Sequence, residues 1–169
     1  EIAYMAQTFE VAEQGAEFSR QNLRKQSPEK AEAISALAPF SAPLSDEASG
    51  GMYHTTDMEY PLIPFIGAAK GVGFALPKPD HDGIVRRYRL ALAYDGRVYF
   101  ALGFVMACDY LRVPLSAVRF VPGECVELPD AHLPDGSTSD VRIPITDRYE
   151  MLVNWAGPYH TTFRHLPYN

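Results

Sequence analysis

The segment from Ile84 to Tyr94 constrains the fold of this chain more than any other part. Its side chains alternate between two distinct faces, as they do along a β-strand. Asp95 and Gly96 follow as a tight-turn signal. Residues 100–112 are then nearly apolar all round, which is typical of a buried helix. Together these features predict an α/β fold, in which a mixed, mainly antiparallel sheet packs against a buried helix.

The remaining patterns predict one domain over residues 1–169, with a helical and loop segment at 1–58 and a sheet core at 60–168. Helical spacing of apolar residues predicts N-terminal helices over 1–38, with a restart at Ser27 and Pro28. Residues 39–60 have little periodicity and predict a long loop of a kind that is often functional or mobile. A short helix is expected at 62–70, and strands are expected at 71–76, 118–121, 124–128, 141–145 and 150–155.

Composition excludes several function classes. The net charge is −6 and no run of Lys or Arg stands out, so we expect no nucleic-acid partner. The longest apolar stretch, Phe100 to Cys108, is much shorter than the roughly 20 residues of a spanning helix. The chain begins with Glu1 instead of Met, so we expect an internal fragment or a processed chain. Cys108 lies in the apolar helix and is expected to be buried, although a bridge to Cys125 stays open as an alternative.

The charged residues around the start of the clearest strand are candidates for a site. Arg86 lies on the more apolar face, where a guanidinium must be paired, so we predict that it bonds the turn at 77–83. Arg87 and Arg89 share the polar end of the other face. They suit either an anionic ligand or a solvated face, which we favour. Asp80, Asp82 and Gly83 suit either a structural turn, which we favour, or a hard cation.

A second candidate region follows residue 150. Asn154, Trp155 and Tyr159 would suit a small-molecule pocket at a strand end, but we favour a core Trp with Asn154 pinning a turn. The five His residues are scattered, although His160 and His165 could converge with Asp80 or Asp82. No Ser or Cys has a recognisable nucleophile setting. We therefore expect no catalytic residue, no metal site and no cofactor.

Several of these segments together resemble the type-two CHASE family of extracellular sensor domains. The resemblance rests on residues 71–74, on 80–87, on 142–145 with 151–158, and on 163–168. It covers roughly 60–168, whereas 1–58 match poorly, and the family's opening strand–helix unit and closing strand are not visible. The resemblance implies an extracytoplasmic sensor in a membrane receptor. In such receptors, transmembrane helices join the sensor to an adenylate or guanylate cyclase, a histidine kinase or a similar output.

From the resemblance and the residues together, we expect a sensory domain that responds to an unidentified small molecule or protein and is tethered to a membrane in the full-length protein. The expected surface joins the 77–83 turn, Arg87, the 39–60 loop and residues 154–165. The alternative is a structural module that forms a homodimer through its N-terminal helices and has no small ligand. A third hypothesis, a hydrolase or metal enzyme, requires His and Asp to cluster around an open cavity. The candidate ligand contacts are Arg87, Asn154, Trp155, Tyr159 and Arg164, and the structural signature is Asp80, Asp82, Gly83, Arg86, Gly157 and Pro158.

Overall fold

A computed structural model describes residues 4–10, 27–158 and 162 of the chain. The helices within these ranges are α1 (Pro28–Leu37), α2 (Asp46–Ser49), α3 (Ile63–Ala68) and α4 (Leu102–Tyr110). The strands are β1 (Tyr4–Glu10), β2 (Ser41–Pro43), β3 (Asp57–Glu59), β4 (Gly71–Phe74), β5 (Arg87–Arg89), β6 (Ala91–Tyr94), β7 (Arg97–Phe100), β8 (Arg119–Val121), β9 (Cys125–His132), β10 (Thr138–Pro144) and β11 (Glu150–Leu152). The predicted α/β class is confirmed.

The strands of the described residues form several small sheets. One has the order β3-β1-β4, in which β1 pairs parallel with β4 and antiparallel with β3. The others have the orders β2-β7-β6, β10-β9-β8 and β11-β5, and all of their pairs are antiparallel. An isolated parallel bridge between Phe74 and Ala101 connects β4 to the end of β7. The arrangement is therefore mixed and mainly antiparallel, as predicted.

The segment predicted as one long strand is two short strands with different partners. β5 pairs with β11, whereas β6 pairs with β7. Leu90 lies between them, and its amide donates to the carbonyl of Tyr149 while its own carbonyl accepts from Ala101. Residues 84–86 precede β5 and belong to no strand. The uniform alternation of faces assumed from the sequence therefore does not hold across this segment.

Helix α4 packs its inner face against the sheet that contains β4. Phe104, Val105 and Cys108 are buried there, and the Phe104 ring stacks on Phe100 with a centroid distance of 5.6 Å. Met106 and Tyr110 on the outer side are 46% and 68% exposed. The predicted buried helix is therefore buried on the face that the sheet covers and exposed on the other, although its sequence is apolar nearly all round.

Both cysteines are free and buried. Burial raises the pKa of the Cys108 thiol to about 12. Cys108 therefore has the predicted role of a small buried apolar residue, and the alternative of a bridge to Cys125 is not what the structure contains.

The N-terminal residues differ from the prediction. Residues 4–10 form β1 instead of a helix, because their backbone pairs with residues 71–74 on one side and with residues 57–59 on the other. These pairings override the helical spacing of the local sequence. Helix α1 begins as predicted, with Pro28 in the first turn and the Ser27 side chain accepting the Lys30 amide at 3.2 Å. The rest of the predicted N-terminal helix, residues 11–26, lies outside the described residues.

The segment 39–60 is not the loosely structured loop that the sequence predicts. It contains β2, α2 and β3, and β2 pairs with β7 while β3 pairs with β1. Ala48, Met52 and Met58 are buried in the core. Its strands and helix have only three or four residues each, and its buried apolar residues stand singly in the sequence. No apolar period therefore marks these elements in the sequence.

Candidate functional site

The turn before β5 is organised around Arg86. Its Nη1 donates to Asp80 Oδ2 at 3.1 Å and to Asp82 Oδ1 at 2.9 Å, and its Nη2 donates to Asp82 Oδ2 at 2.7 Å. The backbone closes the same turn, because the Asp80 amide donates to the carbonyl of Ile84 at 2.9 Å. Gly83 has a φ of 82°, which glycine adopts without strain. The predicted bond between Arg86 and this turn is confirmed.

The same arrangement corrects the predicted burial of Arg86. Its side chain is 46% exposed, and Ile84, expected on the same apolar face, is also 46% exposed. Both residues precede β5, so no sheet lies over them. The Arg86 guanidinium, with help from the Ile84 amide, holds the pKa of Asp82 below its ordinary value. The carboxylate oxygens of the turn therefore accept from the protein's own donors, as a structural turn requires.

Arg87 is the most open of the three neighbouring arginines. Its Nη1 lies 3.5 Å from Asp80 Oδ1, and its side chain is 53% exposed. In the two-stranded sheet of β5 and β11, Arg87 lies opposite Leu152, which is 69% exposed. This combination leaves a guanidinium and an apolar side chain side by side in solvent.

Trp155 lies against the same turn. Its indole Nε1 donates to the carbonyl of Val85 at 3.0 Å, and the nearby Val153 amide donates to the carbonyl of Arg86 at 2.9 Å. Trp155 is nevertheless 64% exposed, and Asn154 is exposed as well. The favoured prediction of a core Trp is therefore wrong, because the indole is held at one end by a hydrogen bond and presents its ring to solvent. We call the exposed set Ile84, Arg87, Leu152, Asn154 and Trp155 the Trp155 surface.

Arg89 is a residue whose role the sequence does not reveal. It is 8% exposed, although alternation placed it at the polar end of a face. Its Nη2 lies 3.2 Å from Glu150 Oε1, and its guanidinium carbon lies 4.0 Å from the centre of the Tyr53 ring. Its Nε is buried and has no hydrogen-bond partner within the described residues. The environment of Arg89 depends on the strand that pairs with β5, because the antiparallel register places Arg89 directly opposite Glu150.

The structure assembles only part of the predicted surface. The 77–83 turn, Arg87, Asn154 and Trp155 come together, whereas the 39–60 segment pairs with β1 and β7 instead. Gly157 has a φ of 139°, and a Cβ atom there would lie 2.5 Å from Thr162 Oγ1. The Thr162 amide donates to the carbonyl of Pro158 at 3.0 Å.

The other predicted site residues, Tyr159 and Arg164, lie outside the described residues, as do His160 and His165. Within the described ranges, no group of three or more His, Cys, Asp or Glu side chains could hold a metal ion. In the same part of the chain, every helix is too short or too polar to span a bilayer.

Comparisons with known proteins give one family. The chain matches the sequence model of the CHASE2 domain over residues 5–169. Curated proteins and solved structures gave no significant match. The match includes most of residues 1–58, so the prediction that the resemblance is confined to about 60–168 is wrong. The matched range begins inside β1.

Proposed function

This chain belongs to the CHASE2 domain family, and we propose that it is the extracytoplasmic, ligand- or partner-responsive domain of a transmembrane receptor. CHASE2 domains are sensory, non-catalytic modules of signalling receptors. In this proposal the full-length protein is tethered to a membrane and has a cytoplasmic adenylate or guanylate cyclase or a kinase as its output.

The Trp155 surface is the place where we propose that the ligand or partner binds. The observation that supports it is the exposure of Trp155, at 64%, while its indole nitrogen is held by the Val85 carbonyl. A tethered ring loses little freedom on binding, and Trp and Arg dominate binding energy at protein surfaces. Leu152 lies opposite Arg87 in the strand pair, and Ile84 in the preceding turn adds further exposed apolar area. Grouped exposed apolar side chains commonly mark interaction sites.

A bound molecule here would contact two segments that are far apart in the chain. The turn at 80–86 leads into β5, and residues 153–155 follow β11, the strand that pairs with β5. Leu90 connects β5 to β6, and its backbone bonds Tyr149 on one side and Ala101 on the other. A ligand that prefers one relative position of the two segments would shift the equilibrium between them, because only differential affinity changes a population.

The test is a thermal-shift screen of the purified domain against metabolites, ions and peptides, repeated on variants. A ligand present at about 100 times its Kd raises the free energy of unfolding by about 2.7 kcal/mol, which is a shift of several degrees. We expect Trp155→Ala and Arg87→Gln to abolish the shift. Phe65→Ala and Arg148→Gln are matched controls, because each removes an exposed side chain of the same type outside the Trp155 surface.

Two outcomes would argue against the proposal. A ligand whose shift survives both Trp155→Ala and Arg87→Gln binds elsewhere, and the Trp155 surface is then not the sensory site. A stable homodimer that responds to no compound, measured by sedimentation on the same samples, would favour the structural module instead.

A further inference from the structure

An open groove of about 320 Å³ lies between the start of β1, the end of α4 and the residues before β2. Its volume is at the lower end of the range typical of small-molecule sites. None of its lining residues belongs to the Trp155 surface, so an occupant here is independent of the proposed function. The lining residues that decide its chemistry are Tyr4, Phe40, Lys70, Gly71, Asp109 and Leu115.

Three polar side chains from distant parts of the chain meet at this groove. The Tyr4 hydroxyl donates to Asp109 Oδ2 at 2.5 Å, and Lys70 Nζ forms an ion pair with the same oxygen. Lys70 Nζ also lies 5.9 Å from the centre of the Tyr4 ring. The parallel pairing of β1 with β4 places Tyr4 beside Gly71, and α4 ends above them. The fold therefore assembles a cation and an anion at one end of an apolar groove.

The apolar part of the groove is formed by buried and half-buried side chains. Val105, Cys108 and Val113 are almost fully buried, whereas Phe40 and Leu115 are half-buried and have area left to cover. Gly71 keeps the groove end tightly packed, since a Cβ atom there would lie 2.9 Å from both the Tyr4 ring and Val105. A small apolar group could lie along Phe40 and Leu115 and shield them from water.

The charges of the groove select the kind of ligand. Lys70 is 42% exposed and Asp109 is 38% exposed. An ammonium group has three donors, so Lys70 retains donors beyond the one it gives to Asp109. The Tyr4 hydroxyl and the Lys70 ammonium both donate to Asp109 Oδ2, which leaves Oδ1 as an acceptor. A lone anion at Lys70 would be repelled by Asp109, and a lone cation at Asp109 would be repelled by Lys70. A ligand with both charges offsets each repulsion, because each of its charges is attracted by the oppositely charged residue.

We propose that this groove binds a small apolar α-amino acid. The carboxylate of the ligand accepts from Lys70, the ammonium donates to Asp109 Oδ1, and the Tyr4 hydroxyl holds the Asp109 carboxylate in position. The side chain of the ligand lies along Phe40 and Leu115. Because Tyr4 belongs to β1, Lys70 precedes β4 and Asp109 belongs to α4, the bound amino acid would connect all three elements.

The test uses four probes with the purified domain: L-leucine, 4-methylpentanoate without the ammonium, 3-methylbutylamine without the carboxylate, and glycine without the apolar side chain. Isothermal titration calorimetry at neutral pH should detect leucine. Each of the other three should bind at least about tenfold more weakly, because each lacks one of the proposed contacts. Probe concentrations up to about 10 mM reach sites with Kd values near 1 mM.

Variants locate the site. Lys70→Gln and Asp109→Asn should each weaken leucine binding by about tenfold or more, whereas Lys78→Gln and Asp147→Asn, which change exposed residues of the same types outside the groove, should not. Trp155→Ala should also leave leucine binding unchanged, which separates this proposal from the one for the Trp155 surface. Circular dichroism of each variant checks that the fold is retained.

Three results would overturn the proposal. The first is that leucine does not bind to the folded domain at 10 mM, about ten times a Kd of 1 mM. The second is that 4-methylpentanoate binds as tightly as leucine, since the groove would then be a simple anion site. The third is that Lys70→Gln and Lys78→Gln have equal effects on leucine binding.

Discussion

The buried ion pair between Arg89 and Glu150 gives the sharpest prediction about stability. The Arg89 side chain is 7% exposed and that of Glu150 is 19% exposed, with 3.2 Å between Nη2 and Oε1. At an effective dielectric constant of about 20, unit charges at this distance attract each other by about 5 kcal/mol. Desolvation of both groups offsets much of that attraction. The net value of the pair is therefore small, but the cost of removing only one partner is not.

Replacing Glu150 by Ala leaves the Arg89 guanidinium buried and without a counter-charge. Loss of one partner from a buried pair costs about 3–5 kcal/mol, and we expect a value near the lower end because the Tyr53 ring still faces the guanidinium at 4.0 Å. Arg89→Met should cost less, because it also removes the buried Nε that has no partner in the described residues. The double variant Arg89→Met/Glu150→Ala should be more stable than Glu150→Ala alone.

Urea unfolding followed by circular dichroism gives the free energies of unfolding of the wild type, the two single variants and the double variant. Glu127→Ala is the control, because its partner Arg142 lies at 2.6 Å in the same kind of cross-strand pair but is 62% exposed. We expect this control to change the urea midpoint much less than Glu150→Ala. Equal midpoints for Glu127→Ala and Glu150→Ala would refute the reasoning. A double variant less stable than Glu150→Ala would refute it too.

Three further predictions concern the turn, the helix and the 39–60 segment. Arg86 holds the pKa of Asp82 below its ordinary value of 3.8, so Arg86→Gln should raise that pKa in a carbon-13 NMR titration. The contribution of the pair to stability is present above the unfolded pKa and is lost as the pH falls through the folded pKa. Cys108, with a pKa of about 12, should not react with a thiol reagent at pH 8 until the domain unfolds, and fast native-state reaction would contradict its burial. Gly51→Ala places a Cβ atom 2.2 Å from a backbone carbonyl oxygen and should cost about 1–3 kcal/mol in urea unfolding, whereas Gly50→Ala meets nothing within 4 Å and should cost much less.

Local chemistry made part of the candidate site predictable. Arg86 bonds Asp80 and Asp82, which lie within six residues of it, so these ion pairs depend mainly on the turn itself. The start of α1 at Ser27 and Pro28 is predictable for the same reason, since a cap and a first turn involve only neighbouring residues.

Burial along β5 was not predictable in the same way. Alternation of side chains assigned Arg86 to an apolar face and Arg89 to a polar one, but the structure exposes Arg86 and buries Arg89. Alternation states which residues share a face, and it does not state what covers that face. Residues 84–86 lie outside the strand, and the cover over Arg89 comes from Tyr53 and Glu150.

By itself, the sequence determined the α/β class, the family resemblance, the turn around Arg86 and the positions of α1, α3, β4 and α4. The class, the turn and the element positions follow from spacing, capping and turn chemistry, which act over a few residues, whereas the family resemblance rests on matching sequence segments. Only the tertiary structure decided the strand at residues 4–10, the exposure of Trp155 and the meeting of Tyr4, Lys70 and Asp109. Each of these depends on groups tens of residues away, since Tyr4 and Asp109 are 105 positions apart in the chain. A local pattern cannot specify such partners, because pairing and burial belong to the surface that a segment meets as much as to the segment itself.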